Sequence, residues 1–476
     1  MRISVLSIHT SPVAQPGQGD AGGMNVYVDH SVRALAAAGH EVDVFTADPT
    51  FEDPAGARLP DAVRLHHLPV DAVDKDDLAD AIDEIAALLL SQPSFASADV
   101  IWAHYWISAE AALQARELGE GTGPGLIVSM HTIGAVKNRD SDTDHERPQR
   151  LDAEERIASA ADLLVANTPA ERRDLISELG ADPDSVVVAR PGVDHALFAP
   201  GDRAAARAEL GFEDDENIVL YVGRMQFIKG TDVVVDTLAR LRENNPHLAA
   251  RTRALLLGAA SGDAAGNPPG STAGGSATGS TAAGDAAVGS TAAGNATKGR
   301  PARSTSPYMR ELTSAIAAEP SIEVRPPVPA RQLATYYRAA DVILVPSRSE
   351  SFGLVAAEAS ASGLPAIAAA VGGLPDIVEH GWSGILIADH NPRHWALELE
   401  RVLCDPQLRR ELASHAVARS SRFDWSTMAQ RVLSALAEVR TDEFAEVCAG
   451  LSSELDTEID LATGAAEDAE LVARHC

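Results

Sequence analysis

The sequence predicts an α/β protein made of two doubly wound parallel-sheet domains with a cleft between them. Three observations carry this expectation. The chain has 476 residues, more than one ordinary core organises. Short apolar runs alternate with amphipathic stretches of helical period, the pattern of strand–helix–strand units joined by short loops. The alternation comes as two series, separated by the segment PGVDHALFAP near residues 191–200.

Ile3–Ile8 is mostly apolar and reads as the first strand. Asn25–Ala38 sets Val28, Val32 and Leu35 on one helical face and ends at Gly39, a residue type that closes helices. Glu41–Thr46 is the next strand, followed by the short apolar runs Asp99–His104, Leu126–Ser129 and Leu163–Asn167. The second series starts at Ile218–Val222 and continues through Ala254–Gly258, Ile322–Val324, Val342–Val345 and Ala366–Ala369. A helical stretch from Ser426 to Val439 is expected to close the second domain. The expected organisation is an N-terminal Rossmann-like domain over 1–195, a C-terminal one over 200–425 and a closing helix over 426–440.

Two segments do not fit this scheme. Residues 261–306 are largely Gly, Ser, Ala and Thr with an imperfect GSTAGG/GSTAAG repeat. Such a composition buries too little apolar surface to offset ordering entropy, so a disordered insertion is expected. Residues 441–476 read as an acidic tail.

The charge is 39 basic against 69 acidic residues, a net of −30. A nucleic-acid partner is not expected, because phosphate backbones demand positive faces. Lysine occurs at only four positions, Lys75, Lys137, Lys229 and Lys298. Scarce lysine with abundant Asp and Glu fits a halophilic surface, and equally a genome whose codons favour Arg and Ala. No apolar run is long enough for an integral membrane span. The opening MRISVLSIHT reads as a core strand, not a secretory leader, so the expected location is cytoplasmic. Cys404, Cys448 and Cys476 form no CxxC, so neither a disulfide framework nor a metal site is expected; Cys404 is expected in a buried helix. A homodimer is one expectation for the assembly.

Three stretches carry chemistry. The first is GQGDAGGMN, Gly17–Asn25. Gly17, Gly19 and Gly22 spell GxGxxG, which raises a dinucleotide cofactor with Asp48 on its ribose. In that fingerprint the first glycine follows its strand directly, whereas here a long loop intervenes. Gly22 and Gly23 are better used to let the backbone approach a ligand and open a helix whose free N–H groups bind phosphate. The second stretch is VGRMQFIKG, where Arg224 and Lys229 follow a buried strand and can clamp a diphosphate. The third is ESFGLVAAE, with Glu350 in a loop and Glu358 inside the next helix, flanking the main chain of Gly353 and Leu354. Carboxylates accept well from vicinal hydroxyls, so one can hold a hexose and the other a ribose. Read alone, the same residues describe a helix N-terminus with stabilising acids. His9, Tyr105, His131, Thr132 and Arg150 lie at or after strand ends, where open α/β sheets bind ligands. Lys75 and Arg150 suggest a second anion site.

Taken together, GGMNVYV, YVGRMQFIKG, YRAADVILVPSRSESFGLVAAEA and GGLPDIVEHGWSG resemble the retaining glycosyltransferases of family four, which have the GT-B fold. The resemblance covers roughly residues 1–440 apart from the insertion. The opening HTSPVAQPGQGDAGGMNVYV and the AHYWIS and MHTIGAVKN runs are most similar to the family's inositol-phosphate-glycosylating branch, of the mycothiol pathway. The resemblance implies transfer of a sugar from a UDP-sugar, N-acetylglucosamine in that branch, to a small phosphorylated acceptor. It implies Arg224 and Lys229 on the diphosphate, Glu358 on the ribose and Glu350 on the transferred sugar. It implies Gly22 and Gly23 under the phosphates, Gln15 and Pro16 beside the donor, His131 touching the sugar, and Phe352, Gly353 and Leu354 lining the donor site. The base would meet the main chain of Val328 within Pro326–Ala330. His9, Asp20, Asn25, Lys75, Tyr105, Thr132 and Arg150 would hold the acceptor; Lys75, Tyr105, Thr132 and Arg150 would do so chiefly through its phosphate. The implied catalytic group is Arg224, Lys229, Glu350 and His131, with no cofactor or metal required. Alternatives are another acceptor in the same family, of sucrose-phosphate-synthase, glycan or lipid-linked type; an epimerase on the same fold; or a non-catalytic nucleotide-sugar-binding protein.

Overall fold

A computed structural model describes residues 1–17, 21–48, 59–72, 74–119, 123–139, 146–259 and 306–440. The expected insertion, apart from Ser306, lies outside the described residues. So do the acidic tail, Gly19, Asp20, Lys298, Cys448 and Cys476.

The first sheet contains β1 (Arg2–Leu6), β2 (Glu41–Thr46), β3 (Val63–His67), β4 (Val100–His104), β5 (Gly125–Ser129), β6 (Leu163–Ala166) and β7 (Val186–Val188). The second contains β8 (Asn217–Val222), β9 (Thr252–Leu257), β10 (Ile322–Arg325), β11 (Val342–Val345), β12 (Ala366–Ala369) and β13 (Gly384–Ile387). Their orders are β3-β2-β1-β4-β5-β6-β7 and β10-β9-β8-β11-β12-β13. The pairs are parallel, as in β1 with β4 (Ile3 beside Val100) and β8 with β11 (Val342 beside Val219). Helices cover both faces, so the central strands β4, β5, β11 and β12 are buried at every residue. Such strands read as continuous apolar runs in the sequence.

In each sheet the strand order reverses once, between β1 and β4 and between β8 and β11. The loops after those strands diverge there and leave a crevice at their carboxyl ends. The two crevices face each other. Gln15 Nε2 donates to Val328 O at 3.1 Å and Ser351 Oγ donates to His131 O at 2.5 Å. A Cβ on Gly23 would lie 3.7 Å from Leu354 Cδ1.

Two expectations are corrected. The closing helix exists as Trp425–Val439, capped by Asp424, whose carboxylate accepts from Thr427 N at 2.7 Å. Its buried face of Trp425, Met428, Val432 and Leu436 packs with Tyr27, Val28, Val32 and Leu35, within the layers of the first sheet. His30 stacks on Trp425 at 5.1 Å. The chain therefore crosses back, and this helix ties the second domain to the first. Cys404 is the last residue of the helix Pro392–Cys404 and is exposed, a free thiol outside the core; its neighbours Val402 and Leu403 take the buried face.

Candidate active site

The first-domain half is built at the ends of β1, β4 and β5. β1 ends at Leu6 and the helix Gly23–Ala37 begins far beyond it in sequence, unlike the direct strand-to-glycine step of a dinucleotide fingerprint. Asp48 Oδ2 accepts from Ser11 N at 2.8 Å within that loop and is buried. The helix has no side-chain cap hydrogen bond and no acid in its first turn, which leaves its positive end open to an anion. Asn25 is wholly buried. Its Oδ1 accepts from Gly22 N at 2.8 Å, and its Nδ2 donates to Thr10 Oγ1 at 2.7 Å and Ser11 O at 2.5 Å. Both amide hydrogens are thus engaged in the empty site, where Asn25 holds Thr10 and Ser11 to the helix start.

Tyr105 (φ 73°) and His131 (φ 60°) are the non-glycine residues with positive φ among those described. Each follows a central strand, β4 or β5. Side chains held in that left-handed region carry strain that the surroundings must offset, which is common at ligand sites. His131 Nε2 lies 3.0 Å from Nδ1 of the buried His104. Burial, then the neighbouring His9, hold the His131 pKa down at about 3. His9 lies against Tyr105, with ring centroids 4.5 Å apart. Burial and then Lys75 lower its pKa to about 3, against the pull of Asp48, with Arg150 and Arg224 adding to the depression. Both imidazoles are therefore neutral at physiological pH, and His9 senses cations from both domains. Arg150 is buried and contacts Tyr105 Oη at 3.1 Å, and Thr132 O and Oγ1 at 2.9 Å each. Lys75 is exposed and among the described residues makes no ion pair, while its neighbours Asp76 and Asp80 pair with Arg147.

The second-domain half is built at the ends of β8 and β11. Lys229 Nζ donates to Glu350 Oε2 at 2.7 Å, and Ser347 Oγ donates to the same oxygen at 3.1 Å. Two glycines hold these loops close. Gly230 has φ +69°, and a Cβ there would lie 2.0 Å from Pro346 O. Gly372 has φ +53°, and its Cβ would lie 1.8 Å from Glu350 O. No other residue fits either place. Arg224 is half-buried, and its carbonyl accepts from Tyr221 Oη at 3.0 Å. Gly353 caps the helix Leu354–Ala361, which has no side-chain cap bond and no first-turn acid. Two open helix N-termini, at Gly23 and Leu354, thus meet across the cleft. Glu358 is buried one turn further in, and its Oε2 accepts from Tyr337 Oη at 3.1 Å. Burial raises its pKa to about 7, opposed by Tyr337 and assisted by Asp194.

Three expected donor residues differ in what they offer. The Phe352 ring is buried in the second core, edge-on to Phe423 at 5.4 Å, so only its main chain is left for a ligand. The Val328 carbonyl is already taken by Gln15. Pro16 is exposed on the neighbouring loop, and Gly17 would place a Cβ 2.9 Å from Pro327. Sequence reasoning missed His104, Glu146, Glu154, Ser351 and Tyr337 as members of this region. Glu146 and Glu154 both stand four residues from Arg150, a spacing visible in the sequence, though only Glu154 shares its helix.

Two doubly wound parallel-sheet domains with strand-end loops facing one another define the GT-B class. A family model described as a glycosyl transferase 4-like domain matches residues 22–192, and one described as glycosyl transferases group 1 matches residues 305–419. A D-inositol 3-phosphate glycosyltransferase of Kineococcus radiotolerans is 37% identical over 462 residues, covering 94% of this chain and 97% of its own. One from Streptosporangium roseum is 36% identical over 440 residues, covering 90% and 92%. Sucrose-phosphate synthase of Thermosynechococcus elongatus superposes with TM-score 0.73 at 28% identity, covering 90% of this chain and 96% of its own. Anabaena HepE, solved with UDP and glucose, superposes with TM-score 0.64 at 21% identity, covering 92% and 99%, a likeness of fold. The chain belongs to the family-four glycosyltransferases.

Proposed function

We propose that the chain transfers N-acetylglucosamine from UDP-N-acetylglucosamine to an inositol phosphate, with retention at the anomeric carbon. The observation that carries this reading is the Lys229–Glu350 pair. It lies beside two open helix N-termini and opposite the cluster of His9, Tyr105, Thr132 and Arg150. The relatives named for an inositol phosphate substrate, at 36–37% identity over nearly their whole length, support the acceptor. In this reading residues 1–195 hold the acceptor and residues 200–425 the donor.

Arg224 and Lys229 take the diphosphate, with the N–H groups near Gly23 and Leu354 adding fixed positive ends. Lys229 moves from Glu350 toward phosphate, which frees the Glu350 carboxylate for sugar hydroxyls. Glu358 accepts from the ribose. The neutral His131 lies beside the sugar, and its carbonyl is held by Ser351 from the other domain. The acceptor hydroxyl attacks on the face from which UDP departs, and the leaving phosphate oxygen takes its proton. The C–O bond to UDP breaks as the C–O bond to the acceptor forms. Arg224 and Lys229 neutralise the charge that develops on the diphosphate, so the step needs no metal. Domain closure across the Gln15–Val328 contact excludes water. The proposed setting is the cytoplasm, and a homodimer is carried as the proposed assembly.

The test is UDP release from UDP-N-acetylglucosamine at low and high salt, with and without inositol phosphate. Acceptor-dependent release with a glycosylated product is expected. Tight binding without any release would replace this reading with a nucleotide-sugar-binding protein. Release only with a sugar phosphate would favour the sucrose-phosphate-synthase type, toward which the 28% identical structure points. Equal activity at both salt levels would remove the halophilic reading.

A further inference from the structure

We propose that Glu146 occupies the acceptor's phosphate position in the empty enzyme, and that Lys137 becomes a further phosphate ligand once Glu146 moves out. The proposal rests on the phosphorylated-acceptor reading and deepens it. It starts from a difficulty at Arg150. All three guanidinium nitrogens are engaged within the protein. Nε donates to Glu154 Oε1 at 2.7 Å, and Nη2 to both Thr132 oxygens at 2.9 Å. Nη1 donates to Tyr105 Oη at 3.1 Å and pairs with Glu146 Oε2 at 3.1 Å. A phosphate can enter only if one partner leaves.

The partners are not equally bound. Glu154 is wholly buried and also accepts from Gly134 N at 2.7 Å, which ties it to the helix Gly134–Arg139. Glu146 keeps 15% of its side chain exposed and stands in the loop just before the helix Pro148–Ala160. Its second oxygen takes the ammonium of Lys137, and its main-chain N donates to Asn138 Oδ1 at 2.7 Å. A carboxylate between an arginine and a lysine, beside the hydroxyls of Tyr105 and Thr132, sits in the donor set that a phosphate monoester would use. Burial opposes its charge, but Arg150 and Lys137 together keep its carboxyl below the usual range, so it is an anion. Charge favours the exchange. Lys75, Lys137 and Arg150 against Glu154 balance a phosphate of roughly −2 better than one carboxylate. Of the four lysines, Lys137 pairs with Glu146 and Lys75 acts on His9, whose pKa Arg150 also lowers.

The exchange separates the roles of the two residues. Glu146→Gln removes the competing anion and should tighten inorganic phosphate binding and lower the KM for inositol phosphate. The expected change is about tenfold, the worth of one charge-assisted hydrogen bond. Lys137→Met should weaken both by a similar factor. A purely structural ion pair predicts that both variants loosen the same loop and shift both quantities in the same direction. Titration calorimetry with inorganic phosphate reads this directly. Opposite shifts support the proposal. Equal or same-direction shifts, in a chain that glycosylates inositol phosphate, overturn it alone. Tighter phosphate binding by Glu146→Gln without any glycosylation keeps the anion site and overturns the acceptor reading. No phosphate binding by any form overturns both. Should the variants fail to fold, reductive 13C-methylation of the four lysine amines of the wild-type chain gives a second reading by NMR, with Lys137→Arg for assignment. Phosphate must move the Lys137 signal, and an unmoved signal overturns the exchange.

Discussion

Replacing Glu358 by glutamine should remove a pH dependence from nucleotide binding. The carboxyl is buried, and among the described residues its side chain has one hydrogen-bond partner, Tyr337 Oη at 3.1 Å. Burial raises its pKa from 4.5 to about 7. A raised carboxyl pKa means that the folded chain holds the proton more tightly than the unfolded chain. The group therefore favours folding at low pH, and that advantage is lost as pH climbs from 4.5 through about 7, a loss of about 3 kcal/mol. Above neutrality the empty site holds a poorly solvated carboxylate. Two ribose hydroxyls supply the hydrogen bonds it lacks, so nucleotide should bind the ionised form. UDP affinity should then rise through pH 7 to a plateau, with binding about tenfold weaker one pH unit below the midpoint. Glutamine keeps the size and still accepts from Tyr337, but does not titrate. Calorimetry of UDP binding from about pH 5.5 to 8.5 on both chains reads the difference, which cancels the titration of UDP itself. Parallel curves for the two chains would refute both the raised pKa and the ribose role.

Four further outcomes are expected. Arg224→Ala should lower turnover by about a hundredfold or more with an unchanged melting temperature, because its charge acts on the leaving diphosphate; comparable turnover would end that role. Asn25→Ala orphans buried partners at Gly22, Thr10 and Ser11, and should cost about 2 kcal/mol in a denaturant titration; a raised acceptor KM with full stability would instead point to Asn25 as an acceptor ligand. Asp43 is buried, yet Arg64 at 2.7 Å and His66 at 2.6 Å outweigh burial and lower its pKa. Its stabilisation is present above the unfolded value of 3.8 and lost as pH falls below it; Asp43→Asn should therefore melt lower at neutral pH, by about 1–3 kcal/mol, and match the wild type in strong acid. Deletion of residues 261–305 should leave turnover unchanged, provided Ala259, which accepts from Met225 N, and the helix cap Ser306 are kept; lost turnover would overturn the insertion reading.

The central strands were legible because both faces are covered and the sequence there is apolar without a break. The strands that escaped are β3, β7 and β13, each at the edge of its sheet. β3 reads VRLHH and is mostly part-exposed, so it has neither an apolar run nor clean alternation. β7 has three residues, too few for any period. An edge strand is paired on one side only, and β3 records little of the fold in its residues; β13, though apolar and mostly buried, has four residues, again too few for a period. The closing helix shows a different limit. The spacing of Met428, Val432 and Leu436 fixes that a face is buried, but period alone does not say which sheet receives it. That choice depends on where Tyr27, Val28 and Leu35 present a complementary surface.

The site divides along the same line. Tyr105, His131 and Arg224 stand just past strand ends and Lys229 and Glu350 in the loops that follow β8 and β11, and the doubly wound topology brings strand ends to one crevice. Their positions were legible as soon as the strands were. Asn25, Glu146 and Lys137 depend on loop geometry. Asn25 reaches back to Thr10 and Ser11, and Lys137 meets Glu146, partners distant in sequence and on no common helix face. No periodicity records such contacts. The consequence is chemical as well as topological. Strand-end residues supply the charges that the reaction needs. Loop residues decide whether those charges are free or already spent on one another, and the Arg150 cluster shows that a cation found from sequence can be fully engaged in the folded chain. Reading a site therefore requires asking which anions each cation holds before substrate arrives; at Arg150 they are the wholly buried Glu154 and the part-exposed Glu146, the one proposed to exchange.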